Sequence, residues 1–290
     1  MKRKLKSPKI LRTKGEKIIL TVILVLFIAY AFTLLYPFFW AGYNSLKTGR
    51  EFNGDQFAFP QIWHWDNYIK AFSVNVNASS ILQATFNSIW ITVISTFCGV
   101  VVSAITAYVV AKYKFRGASL IYAVAVFIQI IPIVGSLPAR YELYYDTLGI
   151  ANKPWIYWIT WCGGFDFAFL MLYSAFKNLS WTYAEAAFID GASHFHTFSR
   201  VMFPMIRPVL VSLTVVNCIS GWNDYMTPYL YLNDYPTLAL SIYELSSDAA
   251  RIGVPIYFAI ILVSIIPSIL IFVFFQNTIM QNMTTGGLKG

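Results

Sequence analysis

The chain is short of charge. Asp, Glu, Lys and Arg make up 12% of its 290 residues, about half of what a soluble domain carries. That shortage excludes an ordinary cytosolic enzyme, a disordered protein and a free-standing nucleic-acid binder. Cysteine is scarce too. Cys98, Cys162 and Cys218 lie in apolar stretches at no metal-ligand spacing. A disulfide framework or zinc ribbon is thereby excluded, and they read as small packing residues. There is no Gly-Lys pair, hence no G-x-x-x-x-G-K-[ST] phosphate cradle. H-E-x-x-H and G-x-S-x-G are also missing. His194 and His196 are two residues apart, which on a helix points them to different sides. No catalytic residue, no metal site and no cofactor bound by this chain are expected. Whatever energy drives it is expected from another chain.

What is abundant is apolar sequence. Hydrophobic residues make up 58% of the chain and the mean hydropathy is +0.59. A helix that crosses a bilayer needs about 20 apolar residues. Six segments qualify: 18–40, 86–111, 118–137, 155–176, 208–229 and 254–276. Long uninterrupted runs mean helices rather than barrel strands. The expected fold is therefore all-α, a polytopic membrane protein with six transmembrane helices. The first run is too long for a signal-peptide core and lacks a small-residue cleavage site, so it reads as a retained span.

Six spans put both termini on one side. Placing the termini inside leaves fifteen of the 21 Lys and Arg there: eight in 1–17, three in 112–117, three in 177–207 and one in the tail. By the positive-inside rule the N- and C-termini are cytoplasmic. The net charge of +8 is then a topology signal, aided by anionic lipid headgroups, and not a sign of nucleic-acid binding. The chain divides into a basic cytoplasmic tail (1–17), a transmembrane domain (18–276) with a cytoplasmic loop at 177–207, and a cytoplasmic C-terminal tail (277–290). The outer pieces are 41–85, 138–154 and 230–253.

The loop at 177–207 is the informative soluble piece. Thr182 and Glu185 fit the S/T-x-x-E capping box, which predicts a short helix from Tyr183 to about Asp190. Gly191 suits the left-handed residue after a helix, and Ser193 can cap a second helix running toward Pro204. The result is a helix–turn–helix hairpin under the membrane. Ala184, Ala186 and Ala187 are small enough to let another protein approach closely. On residues alone, Glu185 and Gly191 either serve such docking or simply cap and turn.

The spacing Glu185-Ala186-Ala187, three residues, Gly191, nine residues, Val201, one residue, Phe203-Pro204 resembles the EAA loop of ABC-importer permeases. Val201 and Phe203 stand where that family usually has Ile and Leu, and both stay apolar. The run Asp190-Gly191-Ala192-Ser193 is similar to the sugar-transporting branch. Further resemblance to maltose-type permeases lies in Tyr36-Pro37, Asn44-Ser45-Leu46-Lys47, Asn87-Ser88, Ala107-Tyr108 and the stretch from Lys112 to Gly117. It continues in Trp222-Asn223-Asp224 and in the ending Gly286-Gly287-Leu288-Lys289-Gly290. The resemblance covers nearly the whole chain and points to the shorter, six-span subunit.

That resemblance implies a multi-pass protein of the bacterial cytoplasmic membrane that carries a sugar, by family habit an oligosaccharide. The implied partners are a second permease subunit, an ATPase dimer and an extracytoplasmic solute-binding protein. ATP and Mg belong to the ATPase. Glu185, Ala186, Ala187, Asp190, Gly191 and Pro204 are then the ATPase-coupling residues. Gly286, Gly287, Leu288, Lys289 and Gly290 would reach the ATPase dimer interface.

Polar residues within the spans are candidates for the substrate pathway. Asn217, Ser220 and Asp224 are spaced i, i+3, i+7 on one predicted helix face, with Asn223 beside them and Gly221 allowing close packing. Interhelical hydrogen bonding fits them equally. Asp166 lies mid-span beside Gly163 and Gly164, where a charge lines a path or pairs within the complex. Competing functions are a permease for another solute such as glycerol phosphate, an intramembrane enzyme and a passive channel. The enzyme lacks any nucleophile–base or metal constellation, and a channel has no use for an EAA hairpin.

Overall fold

A computed structural model describes residues 13–76, 79–131, 137–156 and 163–285, with the side chains of Leu137 and 277–285 excepted. The predicted tail contacts of Gly286, Gly287, Leu288, Lys289 and Gly290 lie outside the described residues, as does Cys162. The fold is all-α apart from a two-residue antiparallel ladder, β1 (Asn75–Val76) against β2 (Ser79–Ser80).

The first helix, α1 (Lys14–Asn44), opens on a capping box between Thr13 and Glu16 and starts four residues earlier than hydropathy predicts. Two short helices follow, α2 (Gly49–Gly54) and α3 (Asp66–Ser73). The central element is α4 (Ile81–Lys112). Its buried face carries Ser88, Thr92, Ser95, Gly99, Ser103, Ala104 and Ala107, small residues that let neighbouring backbones come close. Next come α5 (Ala118–Ile130), α6 (Leu137–Glu142) with a π-helical turn at Leu143–Thr147, and α7 (Phe167–Asn178). The hairpin helices are α8 (Thr182–Ile189) and α9 (His194–Met205), the latter containing a π stretch at Thr197–Met202. The chain ends through α10 (Arg207–Trp222), α11 (Met226–Tyr231), α12 (Leu238–Ser246), α13 (Ala249–Ile252) and α14 (Val254–Thr285).

Three helices, α1, α4 and α14, are each long and apolar enough to cross a membrane. A fourth candidate is the pair α9 and α10, bent by 81°. The six continuous spans expected from hydropathy are therefore not what the described residues form. The third stops at Ile130 because Ile131 turns extended (φ −73°, ψ 126°). Ile131 precedes Pro132, and a residue before proline is pushed out of the helical region. The fourth is broken where Gly164 takes φ +69° and Asp166 caps α7. The fifth ends at Trp222 rather than 229, because the Asn223 side chain donates back to the Ile219 carbonyl at 2.8 Å. Such local side-chain bonds compete with helix continuation.

The core is divided by level. Around the C-terminal end of α4, Tyr108, Phe176, Ala184 and Met202 join α4, α7, α8 and α9. Around the N-terminal end of α4, Trp222, Leu238, Leu245 and Ile260 pack with Ala71 and Ile81. A third cluster joins Ile91, Tyr144, Tyr231 and Leu232. By contrast, the apolar length of α1 is wholly exposed.

Candidate functional site

The hairpin has the predicted shape with one local correction. Helix α8 starts at Thr182, so Thr182 is not the cap; Trp181 stands there and makes no side-chain cap. The Thr182 N–H donates to Ser180 Oγ at 3.3 Å, and the Glu185 N–H already donates to the Trp181 carbonyl at 3.1 Å. With its N–H used one turn earlier, Glu185 has no box to close, and its side chain is exposed. Asp190 ends the helix and Gly191 follows with φ +81°. Ser193 does cap α9, accepting from the His196 N–H at 3.3 Å.

The tip of the hairpin is more apolar than its alanines suggested. Ala186 is exposed and Ala187 half-buried, but Ala184 is fully buried under the hairpin and faces no partner. Ile189 and Phe195 are instead 85% and 76% exposed. Pro204, also exposed, sits at the base of the hairpin where α9 ends. Exposed apolar side chains beside a free carboxylate make a surface suited to a protein partner. Ile189 and Phe195 escaped the sequence reading because each flanks the turn in an apolar context that reads as core.

The hairpin is tied to the C-terminal end of α4. Lys112 Nζ donates to the Leu179 carbonyl at 2.5 Å, and Tyr113 Oη lies 2.8 Å from His194 Nδ1. Tyr113 meets Trp181 edge-on, and Phe188 meets His194 the same way. Tyr108 packs on Phe198 within the π stretch. The tip of the hairpin is thus mechanically joined to α4.

The pathway residues do not all come together. Asn217 and Ser220 share a face of α10, but Asp224 lies past the helix end, so the predicted stripe of three is a pair. Asp224 Oδ1 accepts the Thr227 N–H at 3.0 Å. Asn223 lines a cavity of about 260 Å³ with Trp222, Tyr225 and Tyr243. Asp166 is not mid-helix: its Oδ1 accepts Ser103 Oγ at 2.9 Å and the Phe169 N–H at 3.0 Å, joining α7 to α4. Gly221 does permit close packing, since a Cβ there would stand 3.1 Å from Ser95 Oγ and 3.7 Å from Thr92 Cα.

Two other sequence features acquire roles. Asn87 donates to the Pro236 carbonyl at 3.0 Å and Ser88 accepts the Leu238 N–H at 2.7 Å, pinning the outer loop before α12 to α4. Asn44, Ser45 and Lys47 are buried. Lys47 Nζ donates to the Asp55 carbonyl at 2.9 Å, and Asn67 donates to the Ser45 and Lys47 carbonyls at 2.8 Å each. Nearby, Glu51 is held below the usual carboxylate range, first by the Thr48 N–H, and Asp55 is held down by the N–H of Phe57 and then Ala58. Among the described residues no group of three or more His, Cys, Asp or Glu could hold a metal ion.

Comparison with known proteins places this geometry. The diacetylchitobiose uptake system permease protein of Streptomyces coelicolor is 28% identical over 91% of this chain and 87% of its own length. The trehalose/maltose transport system permease protein of Thermococcus litoralis is 26% identical over 95% of this chain and 99% of its own. A bacterial ABC transporter involved in the import of the acidic polysaccharide alginate shares the fold. Its TM-score is 0.77 at 22% identity, over 92% of this chain and 98% of that one. The family model described as the binding-protein-dependent transport system inner membrane component matches residues 99–284, from the middle of α4 through the hairpin to the end of α14. A buried-face helix, an exposed hairpin locked to it and this match agree, and the chain belongs to the family of binding-protein-dependent transport system inner membrane components.

Proposed function

We propose that this chain is the permease subunit of a binding-protein-dependent ABC importer that moves an oligosaccharide across the cytoplasmic membrane by alternating access. The observation that carries the proposal is the hairpin: an exposed tip at Glu185, Ala186 and Ile189, turned at Gly191, and locked to α4 through Lys112 and Tyr113. The sugar follows from relatives whose names are those of uptake systems for diacetylchitobiose and trehalose or maltose.

In this reading the chain crosses the membrane six times with both termini in the cytoplasm, some crossings being made by broken helices. A second permease subunit covers its exposed apolar face. An ATPase dimer, carrying ATP and Mg, docks on Glu185, Ala186, Ala187, Asp190, Gly191 and the base near Pro204. The tail at Gly286, Gly287, Leu288, Lys289 and Gly290 reaches the ATPase as well. A solute-binding protein delivers sugar from outside, and Asn217, Ser220, Asn223, Asp224 and Asp166 border its route. This chain performs no chemistry. Its two states must respond to ligands that bind them differently, and a swing from 1:99 to 99:1 takes about 5.5 kcal/mol of differential binding.

The test is purification of the tagged chain in mild detergent, with mass spectrometry and an ATPase assay. A second permease and a Walker-motif ATPase should co-purify with measurable hydrolysis. A lone chain, with no ATPase captured by a crosslinker at Phe188, would overturn the reading.

A further inference from the structure

The stretch between α1 and α4 carries apolar side chains that the described residues leave uncovered. Phe57, Phe59, Ile62, Trp63, Trp65 and Ile69 are 53–75% exposed. So many large apolar groups in one short segment are unlike a water-facing surface, which rarely opens contiguous apolar area.

The stretch is held in place. The Asn44 side chain donates to the Gln56 carbonyl at 3.0 Å, and the Gln61 N–H donates to Glu51 Oε1 at 3.2 Å. The His64 N–H donates to the Leu46 carbonyl at 2.9 Å. On α3, Asn67 and Ala71 are buried, and Asn67 bonds the carbonyls of Ser45 and Lys47. Trp65 and Ile69, four residues apart, share the opposite, exposed face. Trp63 stacks on Trp65 at 6.4 Å between centroids. Asp66 and Lys70, also exposed, pair with each other.

The level of the stretch follows from α1. The apolar run from Ile18 to Trp40 is about 34 Å long at 1.5 Å per residue. The hydrocarbon core of a bilayer is about 30 Å thick, so Trp40 marks one edge of it. Tyr43 lies about 4.5 Å further along the helix. That is within the headgroup layer, which adds roughly 5–7 Å on each side. The Tyr43 ring meets Phe59 at 5.0 Å between centroids, so the stretch begins at that level. The start of α14 stands there too, since Phe258 meets Trp40 at 5.2 Å and Phe52 at 5.7 Å.

The composition selects the occupant. Surfaces on which membrane helices pack carry small residues; this one carries tryptophan, phenylalanine and isoleucine. A surface facing hydrocarbon would have no place for Asp66 and Lys70. Aromatic rings beside paired charges belong to the layer between, where tryptophan collects. Arg50, exposed and without an ion pair among the described residues, adds a cation next to Glu51 that complements lipid phosphate. Through the Tyr43–Phe59 contact the stretch is continuous with the exposed apolar length of α1.

We propose that residues 57–69 bind the membrane itself, in the phospholipid headgroup layer at the face where α1 ends. Phe57, Phe59, Trp63, Trp65 and Ile69 seat among the glycerol and upper acyl groups, and the stretch fixes the depth at which α1 leaves the bilayer. The surface is a lipid anchor and not a dock for a protein partner. It is independent of which solute the chain moves.

The test places the photoreactive aromatic p-benzoylphenylalanine at Trp63, Trp65 or Ile69 of the full chain in its native membrane complex. After irradiation, mass spectrometry identifies the adducts. Phospholipid adducts should form at about ten times the yield of the same probe at Asp234, an exposed loop residue. Adducts mainly with a protein, whether a solute-binding protein or a second permease chain, overturn the proposal. So does a phospholipid yield no higher than at Asp234. A second measurement needs no probe in the chain and covers variants that fail to assemble. The complex is placed in nanodiscs whose lipids are brominated on the upper acyl carbons, and tryptophan emission is compared between wild type and the double variant Trp63→Phe, Trp65→Phe. The wild type should be quenched more; equal quenching overturns the anchor.

Discussion

Gly191 shows how much can rest on one backbone angle. A Cβ there would meet nothing within 4 Å, so space does not demand glycine; the φ of +81° does. Proline, fixed near −65°, cannot take that angle, whereas asparagine tolerates it. Gly191→Pro should leave the spans folded but cut uptake roughly tenfold or more, the scale of a lost coupling of ~1.4 kcal/mol, while ATP hydrolysis continues. Gly191→Asn should transport well. Parallel uptake and hydrolysis assays decide this, and normal uptake by the proline variant would sink the docking role. A second residue-scale expectation concerns Glu51 and Asp55, both held below their ordinary range by backbone N–H groups. A depressed folded pKa stabilises above the unfolded value, near pH 4, and the benefit is lost as pH falls through the folded value. Amide exchange over 48–58, corrected for intrinsic rates, should therefore quicken as pH falls below about 4 while the middle of α4 stays protected. Equal change in both regions would refute a local origin.

Between elements, the contact of α10 with α4 at Gly221 sets their spacing. Gly221→Leu would drive a side chain into Ser95 and the Thr92 backbone, an overpacking that costs about 1–3 kcal/mol. The assembled complex should lose heat stability in a fluorescence-monitored melt; an unchanged midpoint would show that the helices separate freely. The same scale separates what the sequence displays from what it hides. The hairpin was legible because its turn, its second cap and its small residues are local signals. The box at Thr182 was misleading because the pattern also fits Thr13–Glu16 and Thr48–Glu51, where the box forms. At 182 the hydroxyl of Ser180 intervenes, and a four-residue pattern does not contain that competitor. Window-averaged hydropathy likewise smooths over Pro132 and the Gly163-Gly164 pair, so broken helices read as continuous ones. A cavity lined by Tyr141, Tyr145 and Tyr229 was invisible for another reason. Tyr145 and Tyr229 are far apart in the chain, and only the pinning of the loop by Asn87, Ser88 and Asn152 brings their segments together.

As a whole the molecule carries a large apolar surface. Phe27, Phe32 and Phe39 along α1 are more than 60% exposed, as is Phe274 on α14. A surface of that kind is stable only against lipid tails or another apolar chain. One end is packed around Tyr108, Phe176 and Met202, while the other has two smaller buried clusters and a cavity lined by tyrosines.

The 81° corner at Ile206 makes α9 and α10 the two arms of a bell crank. At 1.5 Å per residue the arms are about 18 Å and 24 Å long. A push of about 3 Å on the tip of the hairpin turns the crank by roughly 10° and carries its far arm by about 4 Å. That far arm ends at Asn223, on the wall of the cavity it lines with Trp222, Tyr225 and Tyr243. Turning as one rigid piece, the corner would convert a short stroke at the hairpin into a longer one at Asn223, in a nearly perpendicular direction.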